Sequence, residues 1–319
     1  MSTSASRMRE AIWNQPVLLA ELLRDRAPVA EAAERLRDRR VYLVGTGTSW
    51  HAAAIGATWL RAAGLDATAV QAADAATDGP VAAAGDALVL LSHRGTKRYT
   101  GQALAAARAA GASVVLISSR QNADADLVTS DPEQSAAFTI SHLAALARLA
   151  QLAAHLGANL GPLDQVPEAV SEMLDGDWQP VPPPARLLQF TGAGINQWTA
   201  AEAALKVRET AYVAAEGLNA EQLLHGPSVA LGGDDRLVAF DGGGPQSARL
   251  DELATLVRAY GTPVHVIRRD GLGEPLSVFP LTTAAQLIAL EAAEGLGTNP
   301  DSFGRDLPGR ADALAGVEL

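Results

Sequence analysis

Three short, continuous apolar runs occur twice along the chain in the same order. Val41-Tyr-Leu-Val-Gly45 leads into the turn Gly45-Thr-Gly47, and Leu187-Leu-Gln-Phe-Thr-Gly192 leads into Gly192-Ala-Gly194, an offset of 147. Asp86-Ala-Leu-Val-Leu-Leu-Ser92 is echoed by Asp235-Arg-Leu-Val-Ala-Phe-Asp241 at an offset of 149. Gly111-Ala-Ser-Val-Val-Leu-Ile-Ser118 is echoed by Gly261-Thr-Pro-Val-His-Val-Ile-Arg268 at 150. A fixed order at nearly one spacing is the mark of duplication. Runs with no polar alternation predict strands covered on both faces. The stretches 96–110 and 246–260 lie between them and read as helices, each closed by a glycine at 111 and 261, the residue favoured just past a helix C-terminus. Strand and helix in alternation predict parallel β-α-β units. The pattern therefore predicts an α/β fold with two doubly wound parallel sheets flanked by helices. Its expected organisation is a leading helical segment 1–38, a first domain 39–160, a linker 161–184, a second domain 185–298 and a tail 299–319. Gly161-Pro162 opens the linker and Pro180, Pro182, Pro183 and Pro184 close it; 282–298 reads as a long apolar helix.

Composition narrows the class. The chain has 319 residues, 48% of them hydrophobic and 19% charged, which suits a globular protein. A net charge of −11 repels nucleic acid, so an anionic ligand needs a local positive pocket. The absence of cysteine excludes disulfides, thiolate catalysis and zinc–thiolate sites from this chain. The N-terminal segment lacks the apolar core of a signal peptide, and no stretch of membrane-spanning length is apolar without charges. A cytoplasmic location with no membrane partner is expected. Of the 25 basic residues only Lys97 and Lys206 are lysines, and both fall in segments that carry chemistry for other reasons.

In doubly wound folds ligands sit beyond the C-terminal ends of strands, against helix N-termini. The first such loop is Gly45-Thr-Gly-Thr48-Ser49-Trp50. It offers two hydroxyls at a helix start, where an ordinary N-cap would also place them. Trp50 stands where a dinucleotide fingerprint needs its third glycine, and Gln197 stands there in the second copy, so a nicotinamide cofactor is disfavoured. The second loop, Ser92-His93-Arg94-Gly-Thr-Lys97-Arg98, crowds cations at the positive end of a helix, which becomes sensible if a dianion sits there. In the third segment Glu202, Lys206 and Glu209 fall at i, i+4 and i+7 on one helix face; spacing alone equally describes a surface salt-bridge ladder. The fourth ends a helix with His225-Gly226-Pro227, where the negative dipole end favours a protonated imidazole or simply a capping one. The other histidines show no metal-ligand spacing, and no nucleophile elbow is present.

Taken together these loops resemble the sugar-isomerase (SIS) superfamily, including the isomerase half of glucosamine-6-phosphate synthase. The resemblance spans essentially the whole chain. Glu10-x4-Gln15-Pro16 is similar to the family's entry motif, Gly47-Thr48-Ser49 to its first substrate loop, and Ser92-His-Arg-Gly95 stands where the family has S-Q-S-G. The most specific match is Glu202-x3-Lys206-x2-Glu209 followed by Ala215-Glu216 and Leu224-His225-Gly226-Pro227, and Asn299-Pro300-Asp301 fits the tail of many relatives.

The resemblance implies two tandem SIS domains, a homodimer in the family's manner, and a phosphorylated sugar or amino sugar as partner. It implies aldose–ketose isomerisation or amino-sugar-phosphate deamination of a hexose 6-phosphate such as glucosamine 6-phosphate or fructose 6-phosphate, by an enediol or enolamine route needing neither metal nor cofactor. Glu209 would be the base, Lys206 would stabilise oxygen charge or hold Glu209, and His225 would open the sugar ring, across a dimer interface in the family's manner. Thr48, Ser49, Ser92, His93, Arg94 and Lys97 would hold the phosphate and hydroxyls. The family's synthase draws ammonia from glutamine with a cysteine in an added domain, so no glutaminase activity is expected of this chain. Two departures stand out: Arg94 and Lys97 replace hydroxyl positions in the phosphate loop, and the family's C-terminal lysine has no clear counterpart near Arg305 or Arg310. The alternative is a non-catalytic sugar-phosphate-binding regulator.

Overall fold

The computed structural model describes residues 5–79, 82–176 and 180–317. The chain divides into two compact units. One comprises Val17–Glu133, Ile140–Asp164 and Val317–Leu319; the other comprises Met1–Pro16, Gln134–Thr139 and Gln165–Gly316.

The first of these is built on a parallel sheet of five strands: β1 (Val41–Gly45), β2 (Ala67–Gln71), β3 (Ala87–Leu91), β4 (Ser113–Ser118) and the short β5 (Leu127–Val128), in the order β2-β1-β3-β4-β5. All five residues of β1 and of β3 are buried, as strands covered on both faces must be. Helices α2 (Gln15–Arg24) and α3 (Ala27–Glu34) precede the sheet. Among the helices that follow are α4 (Thr48–Ala62), α6 (Arg98–Ala109) and α7 (Ile140–His155), with the single-turn α5 (Ala72–Ala76) between the first two. Gly45 allows α4 to start directly on the strand end: a Cβ there would lie 2.5 Å from the Ser49 carbonyl carbon.

The other unit repeats the plan with four parallel strands, β6 (Leu188–Gly192), β7 (Ala215–Asn219), β8 (Arg236–Asp241) and β9 (Val264–Arg268), ordered β7-β6-β8-β9. The first four positions of the two sheets share one order, with β6 and β8 paired as β1 and β3 are. Its helices include α1 (Arg7–Trp13), α8 (Val166–Asp175), α9 (Gln197–Thr210), α10 (Ala220–Leu224), α11 (Ser247–Ala259), α12 (Glu274–Leu296) and α13 (Arg310–Ala315). The stretch read as a linker therefore contains α8, whose Val166, Val170 and Met173 are buried; residues 177–179 of that stretch lie outside the described residues.

The apolar helix expected over 282–298 begins earlier, at Glu274, and carries Pro280 inside it. A proline removes one intrahelical hydrogen bond, and close burial over 276–290 holds the helix through it. By length and composition α12 could cross a membrane, but 94% of that apolar window is buried inside the protein. It is the core of its unit, against Phe190, Ala203, Val207 and Met8. Two of its buried polar side chains are matched: Gln15 donates to Gln286 (2.5 Å) and accepts from Thr283 (3.0 Å), and Gln286 donates to the Thr139 carbonyl. Asp301 caps α1, accepting from the backbone N–H groups of Arg7 (2.8 Å) and Met8 (2.9 Å).

Candidate functional site

The residues singled out in the sequence fall into two groups, one in each unit.

In the five-stranded unit, Thr48 and Ser49 open α4 and are half-buried. The neighbouring strand end carries Ser92, which is buried, then His93, and then the exposed Arg94 and Lys97. Lys97 is the N-cap of α6, and its side chain makes no capping bond; Thr100 donates instead to the Lys97 carbonyl (2.8 Å). The first turn of α6 contains no acidic residue, so the N-terminal end of its dipole and the cations beside it present positive potential together. The turn is held by β4. The Ser118 hydroxyl donates to the Ser92 carbonyl (2.6 Å), and the Ser119 N–H donates to the His93 carbonyl (3.1 Å). Asn122 donates to the Ser118 hydroxyl and covers Gly95, which has φ of +70°.

His93 has a defined state. The backbone N–H of Glu133 donates to its Nε2 (3.0 Å), so Nε2 carries a lone pair and the proton of the neutral ring sits on Nδ1. Burial, and then the charge of Arg94, push the imidazole down to about 4. Glu133 is itself buried and accepts from the hydroxyl (2.5 Å) and N–H of Ser141. His93 is thus a neutral hydrogen-bonding group rather than a further cation. Sequence reasoning missed Glu133, Asn122 and Ser118; the only signal was Pro132-Glu133 placed just before a buried helix.

In the four-stranded unit, α9 brings Glu202, Lys206 and Glu209 together. Lys206 Nζ lies 2.6 Å from Glu209 and 3.5 Å from Glu202. This face is not a solvated ladder: Glu202 and Lys206 have side chains 0% and 1% exposed, whereas Glu209 retains 16%. Helix α12 packs over α9, and the Thr210 hydroxyl bridges the carbonyls of Lys206 and Ala289. Of the three charged groups Glu209 alone has substantial access to solvent.

His225 is the C-cap of α10, and its side chain is 71% exposed. Its Nε2 bonds Glu221 (2.7 Å), on the same helix rather than on α9. Arg249 also pairs with Glu221 (2.7 Å), and first Arg249, then His225, hold the Glu221 carboxyl down at about 2. The Glu221–His225 spacing of four was visible in the sequence; Arg249, which arrives on the later helix α11, was not. Among the described residues no group of three or more His, Asp or Glu is placed to hold a metal ion.

Comparison with known proteins agrees with this architecture. The family model for the SIS domain matches residues 36–155 and 184–276. The glutamine–fructose-6-phosphate aminotransferase (isomerizing) of Zymomonas mobilis is 28% identical over 264 residues, which cover 72% of this chain and 43% of the relative. The chain thus spans less than half the length of that curated relative. The solved tagatose-6-phosphate ketose/aldose isomerase of Escherichia coli has a TM-score of 0.77 at 21% identity, covering 94% of this chain and 98% of that one. The glucosamine-6-phosphate deaminase of Thermotoga maritima has a TM-score of 0.73 at 19% identity, covering 93% and 97%. At such identities these structures show likeness of fold.

Proposed function

The chain belongs to the SIS domain family, and on that premise we propose that it is a double-SIS enzyme that binds a hexose 6-phosphate and moves a proton between C1 and C2 of the open-chain sugar. The observation that carries this reading is the buried Glu202–Lys206–Glu209 cluster. Burying charged groups is costly unless they are paired, and a surface helix has no need to do it. A cluster of this kind with one carboxylate left accessible is a functional-site candidate.

In the proposed reaction Glu209 takes the C2 proton, electrons pass to the C1 carbonyl, and its oxygen gains a proton to give a cis-enediol. Return of the proton to C1, with loss of the O2 proton, yields the ketose. With a 2-amino sugar the intermediate is an enolamine. Protonation at C1 leaves an iminium at C2, water adds there, and ammonia departs. Lys206, 2.6 Å from Glu209, orients the base and offers positive charge to the developing oxyanion. The phosphate is assigned to the turn carrying Ser92, His93, Arg94 and Lys97, with Thr48 and Ser49 on sugar hydroxyls. Ring opening is assigned to His225, oriented by Glu221 and acting across a homodimer interface. A cytoplasmic location with no nucleic-acid or membrane partner completes the proposal.

The test is incubation with glucosamine 6-phosphate or fructose 6-phosphate while ammonia and hexose phosphates are followed. Glu209→Gln is expected to lower turnover at least about 100-fold and to leave ligand-induced thermal stabilisation in place. Turnover unaffected by that change would remove Glu209 from the mechanism. A second reading, a sugar-phosphate-binding regulator, is favoured by Arg94 and Lys97 at the phosphate turn, because they can hold a dianion more tightly than turnover requires. Stabilisation by the same sugars without any turnover would select it.

A further inference from the structure

The four-stranded sheet has its own switch point, the place beyond the paired strands β6 and β8 where the connections diverge to opposite sides and where doubly wound folds receive ligands. It is not open. Two glycine turns meet there, Gly192-Ala-Gly194 after β6 and Gly242-Gly-Gly244 after β8. The first of them is the counterpart of Gly45-Thr-Gly47 in the other repeat: Gly194 has φ of +53° and Gly47 has φ of +56°. The Glu274 side chain, from the first residue of α12, lies between the two turns. A Cβ added at either Gly194 or Gly244 would fall on its carboxylate; the Ile195 backbone N–H favours its charged form, while the Gly194 N–H donates to Gln246 (3.3 Å). A second carboxylate closes the start of α11. Asp241, at the position equivalent to Ser92, accepts from the Gly243 N–H (2.9 Å), the Ser247 hydroxyl (2.6 Å) and Arg268 Nε (2.7 Å).

We propose that the second repeat retains an oxyanion cradle at the switch point of its sheet, formed by the Gly194 and Gly244 turns, and that the chain's own Glu274 carboxylate occupies it. The ligand class is a small oxyanion, a carboxylate or phosphate group. Backbone N–H groups at a turn that opens a helix favour such groups, and only glycine leaves room for them so close to the main chain. Burial pushes the Glu274 carboxyl above its ordinary range; the Ile195 N–H opposes this, and the nearby Asp241 charge adds to it. Arg268 offsets the Asp241 charge. The second repeat is therefore self-liganded, which leaves the first repeat to take the exogenous phosphate.

Glu274→Ala removes a CH2–COO unit that acetate can replace. In this variant acetate or inorganic phosphate, against chloride at equal ionic strength, is expected to raise the melting temperature by about 2 °C at ten times the dissociation constant. Wild type and Glu274→Gln, which fills the space, are expected to show no such added shift. Equal anion response in all three proteins would overturn the proposal. So would a gain in Glu274→Gln as large as in the alanine variant. Should the alanine variant not fold, the wild-type protein decides: the Ile195 amide resonance moves as Glu274 titrates if the cradle is real, and an amide that stays fixed through that titration refutes it. None of these outcomes depends on whether the protein turns over a sugar phosphate.

Discussion

His93 shows how one backbone contact can fix the chemistry of a side chain. The Glu133 N–H claims the Nε2 lone pair, and burial beside Arg94 disfavours the imidazolium, so the folded-state value of about 4 lies below the ordinary 6.5. A depressed histidine adds stability that is complete above the unfolded value and is lost as pH falls through the folded one. The window is therefore pH 6.5 down to about 4, and the loss across it is at most about 3 kcal/mol. His93→Gln keeps an acceptor for the Glu133 N–H and removes the titration. Urea unfolding at pH 7 and pH 4.5 is expected to show a smaller drop in stability for this variant than for wild type. An unchanged drop would mean that His93 does not titrate at the depressed value.

Helix α7 illustrates how an element can be pinned by a single buried cation. Arg148 is 2% exposed. Its guanidinium donates to the carbonyls of Val128 in β5 (2.8 Å) and Asp25 just after α2 (2.9 Å), to the Asp25 carboxylate (2.7 Å) and to Gln151. The planar fork thus satisfies carbonyls on two different elements at once, which an ammonium cannot reproduce. Arg148→Lys is expected to destabilise the protein by about 2–4 kcal/mol, because buried acceptors are left unmatched. A thermal melt indistinguishable from wild type would contradict this. Helix α9 raises the corresponding point for the candidate site. The spacing of Glu202, Lys206 and Glu209 acquires meaning only through the burial of that face, which elements distant in the chain impose and the spacing itself does not show.

Across the whole molecule the two repeats share a strand order but differ in what fills their turns. Ser92 and a pair of cations close the third strand of one, whereas Asp241 and Glu274 serve the other from within the chain. Isothermal titration calorimetry with glucosamine 6-phosphate is accordingly expected to give a stoichiometry near one per chain; a value near two would require the second turn to be open. The duplication, the buried strands and the glycine turns were legible in the sequence because they depend on local pattern: continuous apolar runs, a residue without Cβ where a helix meets a strand end, and a constant offset between copies. The chemistry-bearing types were legible as well, since two rare lysines and a Glu-Lys-Glu spacing mark themselves. Burial was not legible. A spacing of i, i+4 and i+7 is identical on a wet face and a covered one, and the helix over 282–298 looked shorter than α12 because Pro280 suggests a break that close packing overrides. Nor could the sequence show that Glu133 reaches back to His93, that Arg249 joins His225 through Glu221, or that Glu274 fills a turn formed far earlier in the chain. Periodicity and turn geometry are properties of neighbouring residues, and the sequence alone determined them; which faces are dry, and which charges meet, depends on distant elements packing together, and only the tertiary structure decided that.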